Sequence, residues 1–328
     1  MDRNPKKDRA PQGHQLKRGP TVAQDLLKNG VEGRFFRGNL HCHSNRSDGL
    51  RQPEEVVAAY REAGYDFLCL SDHFEAEHGW QVTDTRHLRS ENFTTILGAE
   101  LSSAPWEQRD CYWVTAAGLP PDFGPPPPDD HAQAIRRAAD LGAFVIMLHP
   151  GLNNLPLAAA DWLPGLDVVD AIEVYNHNGA MAAIPDRANG AYMLDGLLEK
   201  GHKVLVNAGD DAHFGHPRDR FGGWVEVHCD RLDPEALLDS MKAGRYYSTQ
   251  GPELRELIID DERLRVETSE AYAITLTASG DRWKSGSERT GEPVVEAEFD
   301  LAPFRGSYCR VTVVDPAGRR AWSNPIWP

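Results

Sequence analysis

The sequence predicts an α/β fold with a largely parallel sheet, open or closed into a barrel, followed by a small all-β appendage. Two observations lead there. Short apolar runs alternate with helical patterns from about Arg34 to Thr249, and no helical pattern survives beyond Gly251–Pro252. With 328 residues, 40% of them hydrophobic and 26% charged, the chain is long and apolar enough to bury such a core.

The first strand is Phe36–Leu40, which runs into His41-Cys42-His43. Pro53 then opens a helix with Val56, Val57, Tyr60 and Ala63 at helical spacing, and Gly64 closes it. Buried strands follow at Phe67–Leu70, Thr95–Leu97, Phe144–Leu148, Ala171–Tyr175 and Val204–Val206. Between them, His131–Leu141 is a helix ended by Gly142, and Ala191–Lys200 one ended by Gly201. Asp233 caps a further helix with Pro234 at its first position, and Gly244 ends it. The run Pro125–Pro128 reads as a stiff polyproline connector. In the tail, Leu254–Ile259, Arg263–Thr268, Tyr272–Thr277, Pro293–Phe299 and Tyr308–Val314 are β-like, and Asp315–Gly318 is a turn. No internal repeat of fixed period is present.

The expected organisation is a mobile leader over 1–34, basic and polar over its first part, an α/β domain over 35–252 and a β domain over 253–328. The net charge of −15 argues against a chain that coats nucleic acid or anionic membrane, because such binding needs a basic surface. No run reaches the roughly 18–20 apolar residues of a membrane span, and the first residues lack the apolar core of a secretory signal. Five scattered cysteines without a C-x-x-C pair suit a reducing compartment, so the cytoplasm is expected.

Six apolar strands end in metal-type residues: His41 and His43; Asp72 and His73; Glu100; His149; Glu173, Asn176 and His177; and Asp210, Asp211 and His213. The carboxyl ends of parallel strands gather on one face, so donors far apart in sequence would converge. In H-x-H on an extended segment the two imidazoles point the same way while Cys42 faces elsewhere, and Asp211 and His213 repeat that geometry. Imidazoles and carboxylates without thiolate suit zinc, manganese or iron. Glu100 has two oxygens and could bridge two cations at the separation of about 3.5–4 Å usual in hydrolytic pairs. Other histidines, such as His78 and His131, lack this context and read as surface or packing residues.

The stretches His41-Cys-His-Ser-Asn-Arg-Ser-Asp48-Gly49, Leu70-Ser-Asp72-His73, Gly98-Ala-Glu100, His149-Pro150 and Gly209-Asp-Asp211-Ala-His213 resemble the motifs of the polymerase and histidinol phosphatase (PHP) superfamily, over roughly 35–250. The resemblance implies a distorted seven-stranded (β/α) barrel with two or three divalent ions. Carried over, His41, His43, Glu100 and Asp211 would hold one ion, Glu100 and His149 a second, and His73, His213 and Asp48 a third. Many members have a further histidine ligand between the fourth motif and the last. Here that segment reads Glu173-Val-Tyr-Asn176-His177, and His177 is a candidate ligand beside Glu173 and Asn176. The tail is similar to the branch that includes carbaryl-type carbamate hydrolases, which would pack Trp322, Pro325 and Trp327 against the barrel.

The expected activity is hydrolysis of a small phosphorylated substrate, such as a nucleotide, by hydroxide formed at bridging Zn, Mn or Fe ions, with no protein nucleophile. Asp48, His73 or His213 would pass a proton to the leaving group, and Arg46 would supply positive charge beside the ions. Arg218, Arg220 and Arg245 are further candidates for clamping phosphate. Carbamate or carboxylic ester hydrolysis at the same site is the alternative, because a site and not a fold selects the substrate. A second alternative is a non-catalytic metal-binding interaction module.

Overall fold

In the computed structural model, residues 23–105, 111–161, 163–280, 282–285 and 292–328 are described. Strands β1 (Gln24–Asp25) and β2 (Arg34–Asn39) precede helix α1 (Pro53–Glu62). Strands β3 (Phe67–Leu70), β4 (Thr94–Ser102) and β5 (Trp113–Ala117) lead to α2 (Ala132–Asp140). Strands β6 (Phe144–Met147) and β7 (Ala171–Asn176) lead to α3 (His177–Met181) and α4 (Ala191–Glu199). Then come β8 (Leu205–Gly209), β9 (Trp224–Cys229), α5 (Pro234–Lys242) and β10 (Tyr246–Thr249). The tail forms β11 (Leu254–Asp260), β12 (Arg263–Ala271), β13 (Ala273–Ala278), β14 (Trp283–Ser285), β15 (Val294–Asp300), β16 (Cys309–Val314) and β17 (Arg320–Ser323). Each expected strand and helix is present within a few residues, and Gly64 and Gly244 close α1 and α5 at φ +83° and +73°, in the left-handed region.

The fold is mixed α/β, built on one 13-stranded sheet in the order β14-β13-β16-β17-β10-β9-β2-β3-β4-β5-β6-β7-β8. The pairs β2/β3, β3/β4, β6/β7 and β7/β8 are parallel, as expected. Strand β5, absent from the strands expected from sequence, runs antiparallel to both β4 and β6. The connection 103–112 is shorter than the dozen or so residues a parallel crossover needs, so the chain turns straight back. Strand β9 is antiparallel to β2 and β10. Beyond the carboxyl ends of β2 and β8, Cys42 and Ala212 form a parallel bridge, Asp211 N–H donates to His41 O at 2.8 Å, and His43 N–H donates to Ala212 O at 2.8 Å.

Alternation along the strands sorts the core into two faces. Val145, Met147, Ile172 and Val174 pack outward against α2 and α4 with Ile135, Leu194 and Leu197, whereas Phe144, Ile146 and Ala171 turn inward with Phe36, Phe67 and Val225. Strands covered on both faces read as continuous apolar runs.

The tail shares the large sheet with the strands that precede it. Strand β17 pairs with both β10 and β16, so β13, β14 and β16 continue the large sheet. Strands β1, β11, β12 and β15 form a second sheet beside it. Trp322 is 2% exposed, joins the core of β7, and stacks on Tyr175 at 6.2 Å, while Trp327 is 40% exposed against Tyr308. Of the expected leader, residues 1–22 lie outside the described residues. The rest is structured, for Gln24 pairs with Ile259 and Leu27 is buried with Leu257 and Leu264. No helix among the described residues is long and apolar enough to cross a membrane.

Arg310 of β16 ties the tail to α4 through a two-pronged ion pair with Asp195, Nε to Oδ1 at 2.8 Å and Nη2 to Oδ2 at 2.6 Å. Its side chain is 7% exposed and that of Asp195 28%, so the pair is largely shielded from water. Arg310→Ala is expected to destabilise the fold by about 1–3 kcal/mol, read as a lower denaturant midpoint with an unchanged slope. An unchanged midpoint would mean that the tail is held by the shared sheet alone.

Candidate metal centre

The six strand ends do converge. Glu100, 1% exposed on β4, is the hub. Its Oε2 lies 3.2 Å from His41 Nε2, 3.1 Å from His43 Nε2 and 3.8 Å from His73 Nδ1, and its Oε1 lies 3.4 Å from His149 Nε2. Asp211 Oδ1 lies 3.3 Å from Nε2 of both His41 and His43. At the mouth, Asp48 Oδ2 is 3.1 Å from His213 Nε2 and 3.5 Å from His73 Nε2. The rings of His43 and His213 stack at 4.3 Å. Three sets of donors within the cluster are close enough to share a cation: His43, Asp48, His73 and His213; His41, His43 and Glu100; and His41, His149 and Asp211; a fourth, Glu75, Glu77 and His78, lies on the loop after His73.

Each donor is placed by local structure. Asn39 Oδ1 accepts the His41 N–H at 2.8 Å and fixes the exit from β2. Asp72 faces away from the cluster and gathers the first loop, accepting from Ser44 N–H and Oγ, Ser47 Oγ and Thr83 Oγ1. The buried Asp210 likewise accepts Tyr60 Oη–H and the N–H groups of Phe221, Gly222 and Gly223. His149 and Asp211 leave their strands at φ +27° and +55°, a conformation that costs a non-glycine residue about 1–3 kcal/mol and recurs where function needs a side chain turned into a site.

The segment that the sequence left open is resolved by its hydrogen bonds. Glu173 Oε1 lies 2.9 Å from His41 Nδ1, and its Oε2 accepts from His149 N–H at 2.9 Å and Asn176 Nδ2 at 3.0 Å. Asn176 Oδ1 accepts the Gly179 N–H at 2.7 Å, so only its amide N–H₂ turns to the cluster, at 3.2 Å from Asp211 Oδ2. His177 is not brought to the cluster. It is the first residue of α3, its Nδ1 is 2.9 Å from Tyr175 Oη, and its ring fills the space where a Cβ on Gly222 would lie.

The arginines do not converge either. Arg46 is exposed in the first loop, where its N–H donates to Ser44 Oγ at 3.1 Å. Arg218 is exposed, Arg220 Nη1 is engaged by Asp219 Oδ1 and His216 O, and Arg245 Nη2 bonds Ser240 Oγ at 3.0 Å on α5. A phosphate clamp from the last three is therefore not formed, because local acceptors hold two of them and the third points to solvent.

The electrostatics suit a cation. Burial by itself would lower His43, but hydrogen bonds and charge from Asp211 and Glu100 raise it to about 10. His41 is likewise raised well above its usual value against its burial, by Asp211, Glu173 and Glu100. Burial would raise Glu100, yet His73 and His41 hold it well below the carboxylate range. Protons on the imidazoles thus neutralise the carboxylates, a task that a divalent ion would perform. The buried Nδ1 of His73, 3.8 Å from Glu100 Oε2, has no hydrogen-bond partner, which fits a donor set built for a metal.

A pH dependence follows. A raised histidine stabilises the metal-free fold fully below its unfolded value of about 6.5 and loses that contribution as pH rises through about 10. Metal needs the deprotonated imidazole, so metal binding should release protons and tighten over the same window. The expected result is a Tm gap between metal-loaded and metal-free protein that widens from pH 6.5 towards pH 10. A gap independent of pH would contradict it.

The family model described as the PHP domain matches residues 39–205. No curated protein matches the chain. Among solved structures, a two-domain protein from Bacteroides vulgatus ATCC 8482, containing a predicted PHP-like metal-dependent phosphoesterase, aligns with TM-score 0.52 and 16% identity, covering 96% of this chain and 100% of its own. At that identity the likeness is one of fold, and it extends through the C-terminal strands. A protein from Bifidobacterium adolescentis ATCC 15703, provisionally described as a metal-dependent phosphoesterase, aligns with TM-score 0.41 and 14% identity over 63% of this chain and 96% of its own.

Proposed function

This chain belongs to the PHP domain family, and from that premise we propose that it is a metal-dependent phosphoesterase acting on a small phosphorylated substrate. The observation that carries the reading is the convergence of five imidazoles and three carboxylates around Glu100 and Asp48, in sets close enough to share a cation. In this reading His41, His43, Glu100 and Asp211 hold one divalent ion, Glu100 and His149 a second, and His73, His213 and Asp48 a third, the metal being Zn, Mn or Fe. The bridge between Cys42 and Ala212 supports taking β2 to β8 as a distorted seven-stranded barrel, with 253–328 as a β unit on its side.

Bound cations of this kind lower the pKa of water from about 15.7 towards about 7 and polarise a phosphoryl oxygen. The chain's own residues do the rest. Glu173 holds His41 with its Nδ1–H outward, so that Nε2 presents a lone pair to the cluster. His213 Nδ1 is fixed by the Asp211 carbonyl at 2.8 Å, which turns Nε2 to Asp48. Asp48 sits at the mouth with a side chain 47% exposed; burial would raise its carboxyl, but His213 and His73 hold it well below the usual carboxylate range, so it is ionised and ready to serve as a donor to the third ion. Arg46, exposed in the same loop, adds a positive charge on the approach of an anion.

Carbamate or carboxylic ester hydrolysis is the second reading, and one observation favours it. The groove beside His73 is walled by Trp80 and prolines, with no Lys or Arg among the described residues that line it. A product assay separates the two, with phosphate monoesters and diesters offered beside aryl carbamates and esters to Mn-, Fe- and Zn-loaded protein. Phosphate release is the expected result. Cleavage of the carbon esters alone would replace the first reading by the second, and silence without bound metal would point to a binding module.

A further inference from the structure

A groove of about 720 Å³ opens beside the mouth of the cluster, between the loop 75–80 and the proline run 125–128. That volume is ordinary for a small-molecule site. Its walls are Trp80, His131 and the prolines Pro125, Pro126 and Pro128, and its rim carries Glu75 and Glu77. The loop that bounds it leads back to the candidate metal donor His73. Glu75 follows His73 by two residues, and Glu77 Oε1 lies 3.4 Å from Nε2 of His78, whose ring stacks on that of His73 at 6.3 Å.

Trp80 is held in the groove at some cost. It stands at φ +52° after Gly79 at +75°, in a turn closed by Trp80 N–H to Glu75 O at 3.0 Å. A bulky side chain in that region is an outlier that the surroundings must enforce. The turn lays the indole between Phe74 at 5.4 Å and His131 at 5.9 Å, and His131 Nδ1 is itself 3.2 Å from Ser102 Oγ.

The chemistry of these walls selects against anions. Proline has no backbone N–H to donate, no Lys or Arg is among the described lining residues, and two carboxylates face the opening. An indole face flanked by carboxylates attracts an organic cation. We propose that this groove receives the non-reacting part of the substrate, and that this part is an organic ammonium group, so that the substrate is a phosphoester of a cationic alcohol. The proposal rests on the hydrolase reading above, and it gives the proline run a role as the apolar wall of a specificity pocket.

The test is binding, which does not depend on turnover. Choline, its neutral isostere 3,3-dimethylbutan-1-ol and the anionic 3,3-dimethylbutanoate are titrated calorimetrically into the metal-loaded protein. Choline is expected to bind at least ~5-fold tighter than the alcohol, and the anion weakest of the three. Trp80→Leu should remove that preference, and Glu77→Gln, an exposed change that leaves the fold intact, should reduce it. Equal binding of choline and the alcohol, or a preference unchanged in both variants, would overturn the proposal. A protein that prefers choline yet releases no phosphate from any ester would instead overturn the hydrolase reading and leave the pocket in place.

Discussion

Glu100→Gln is expected to lower kcat/KM by roughly 10²–10³-fold or more and to reduce the bound metal. The change keeps the volume of a side chain that is 1% exposed, so packing is preserved and the effect is electrostatic. Glu100 lies within 3.8 Å of a nitrogen of four imidazoles. Without its charge, two of the proposed ion sites lose their shared anion. In the metal-free protein the same substitution removes a carboxylate that raises His43, so His43 should titrate below the value of about 10 that it has in the wild type. Histidine NMR and metal analysis on one sample check both consequences. Full metal content with wild-type turnover would show that the cluster is not the active centre.

Glu173→Gln carries the second large effect. Glu173 touches the proposed ions only through other residues. It orients His41 through Nδ1 at 2.9 Å and pins His149 through the backbone N–H at 2.9 Å. Replacing an oxygen by N–H₂ sets two donors against each other and releases the imidazole from its tautomer. Such outer partners are typically worth 10–100-fold in metal affinity or activity. A structural role alone would change stability, so the discriminating readout is the His41 Nδ1–H resonance, which should be lost in Glu173→Gln and retained in Glu173→Asp. Gly209→Ala should act in the same direction, because a Cβ there would lie 2.5 Å from Glu173 Oε1. Unchanged metal affinity in both variants would mean that His41 is held by Glu100 and Asp211 alone.

The donors were readable from sequence because apolar runs end at them, and parallel strands bring their carboxyl ends together whatever the distance along the chain. The place of Glu173 was also legible in principle. Along Ala171–Asn176 the residues Ile172 and Val174 face outward, which turns Ala171 and Glu173 to the inside. Of the three candidates Glu173, Asn176 and His177, His177 lies away from the cluster because Asn176 is a helix cap. Its Oδ1 takes the Gly179 N–H, the chain turns into α3, and the next side chain swings to Tyr175 and Gly222. An Asn followed three residues later by Gly carried that signal.

Strand β5 was missed for another reason. Trp113–Ala117 is short and ends in small residues, so its periodicity is weak, and its antiparallel direction follows from the length of the preceding loop. The sharing of one sheet by the α/β strands and the tail lay beyond pattern reading. It depends on β17 pairing β10 across some 70 residues of chain, and on Asn324, whose Oδ1 accepts Val206 N–H at 3.0 Å and whose Nδ2 donates to Tyr246 O at 2.9 Å. Such registry is set in three dimensions. Trp80 belongs to the same class, since nothing local marks a tryptophan that must adopt a left-handed backbone.

The strand-end cluster is proposed to hold divalent ions that make the chain a phosphoesterase. The measurement that tests this proposal most directly is release of inorganic phosphate from phosphate monoesters as Mn, Fe or Zn is titrated into metal-stripped protein. Without metal no release is expected; with it, release should rise to a plateau at two or three equivalents, and Glu100→Gln should show no rise. Release that is independent of added metal, or no phosphate release at full metal occupancy from any ester on the panel, would contradict the proposal.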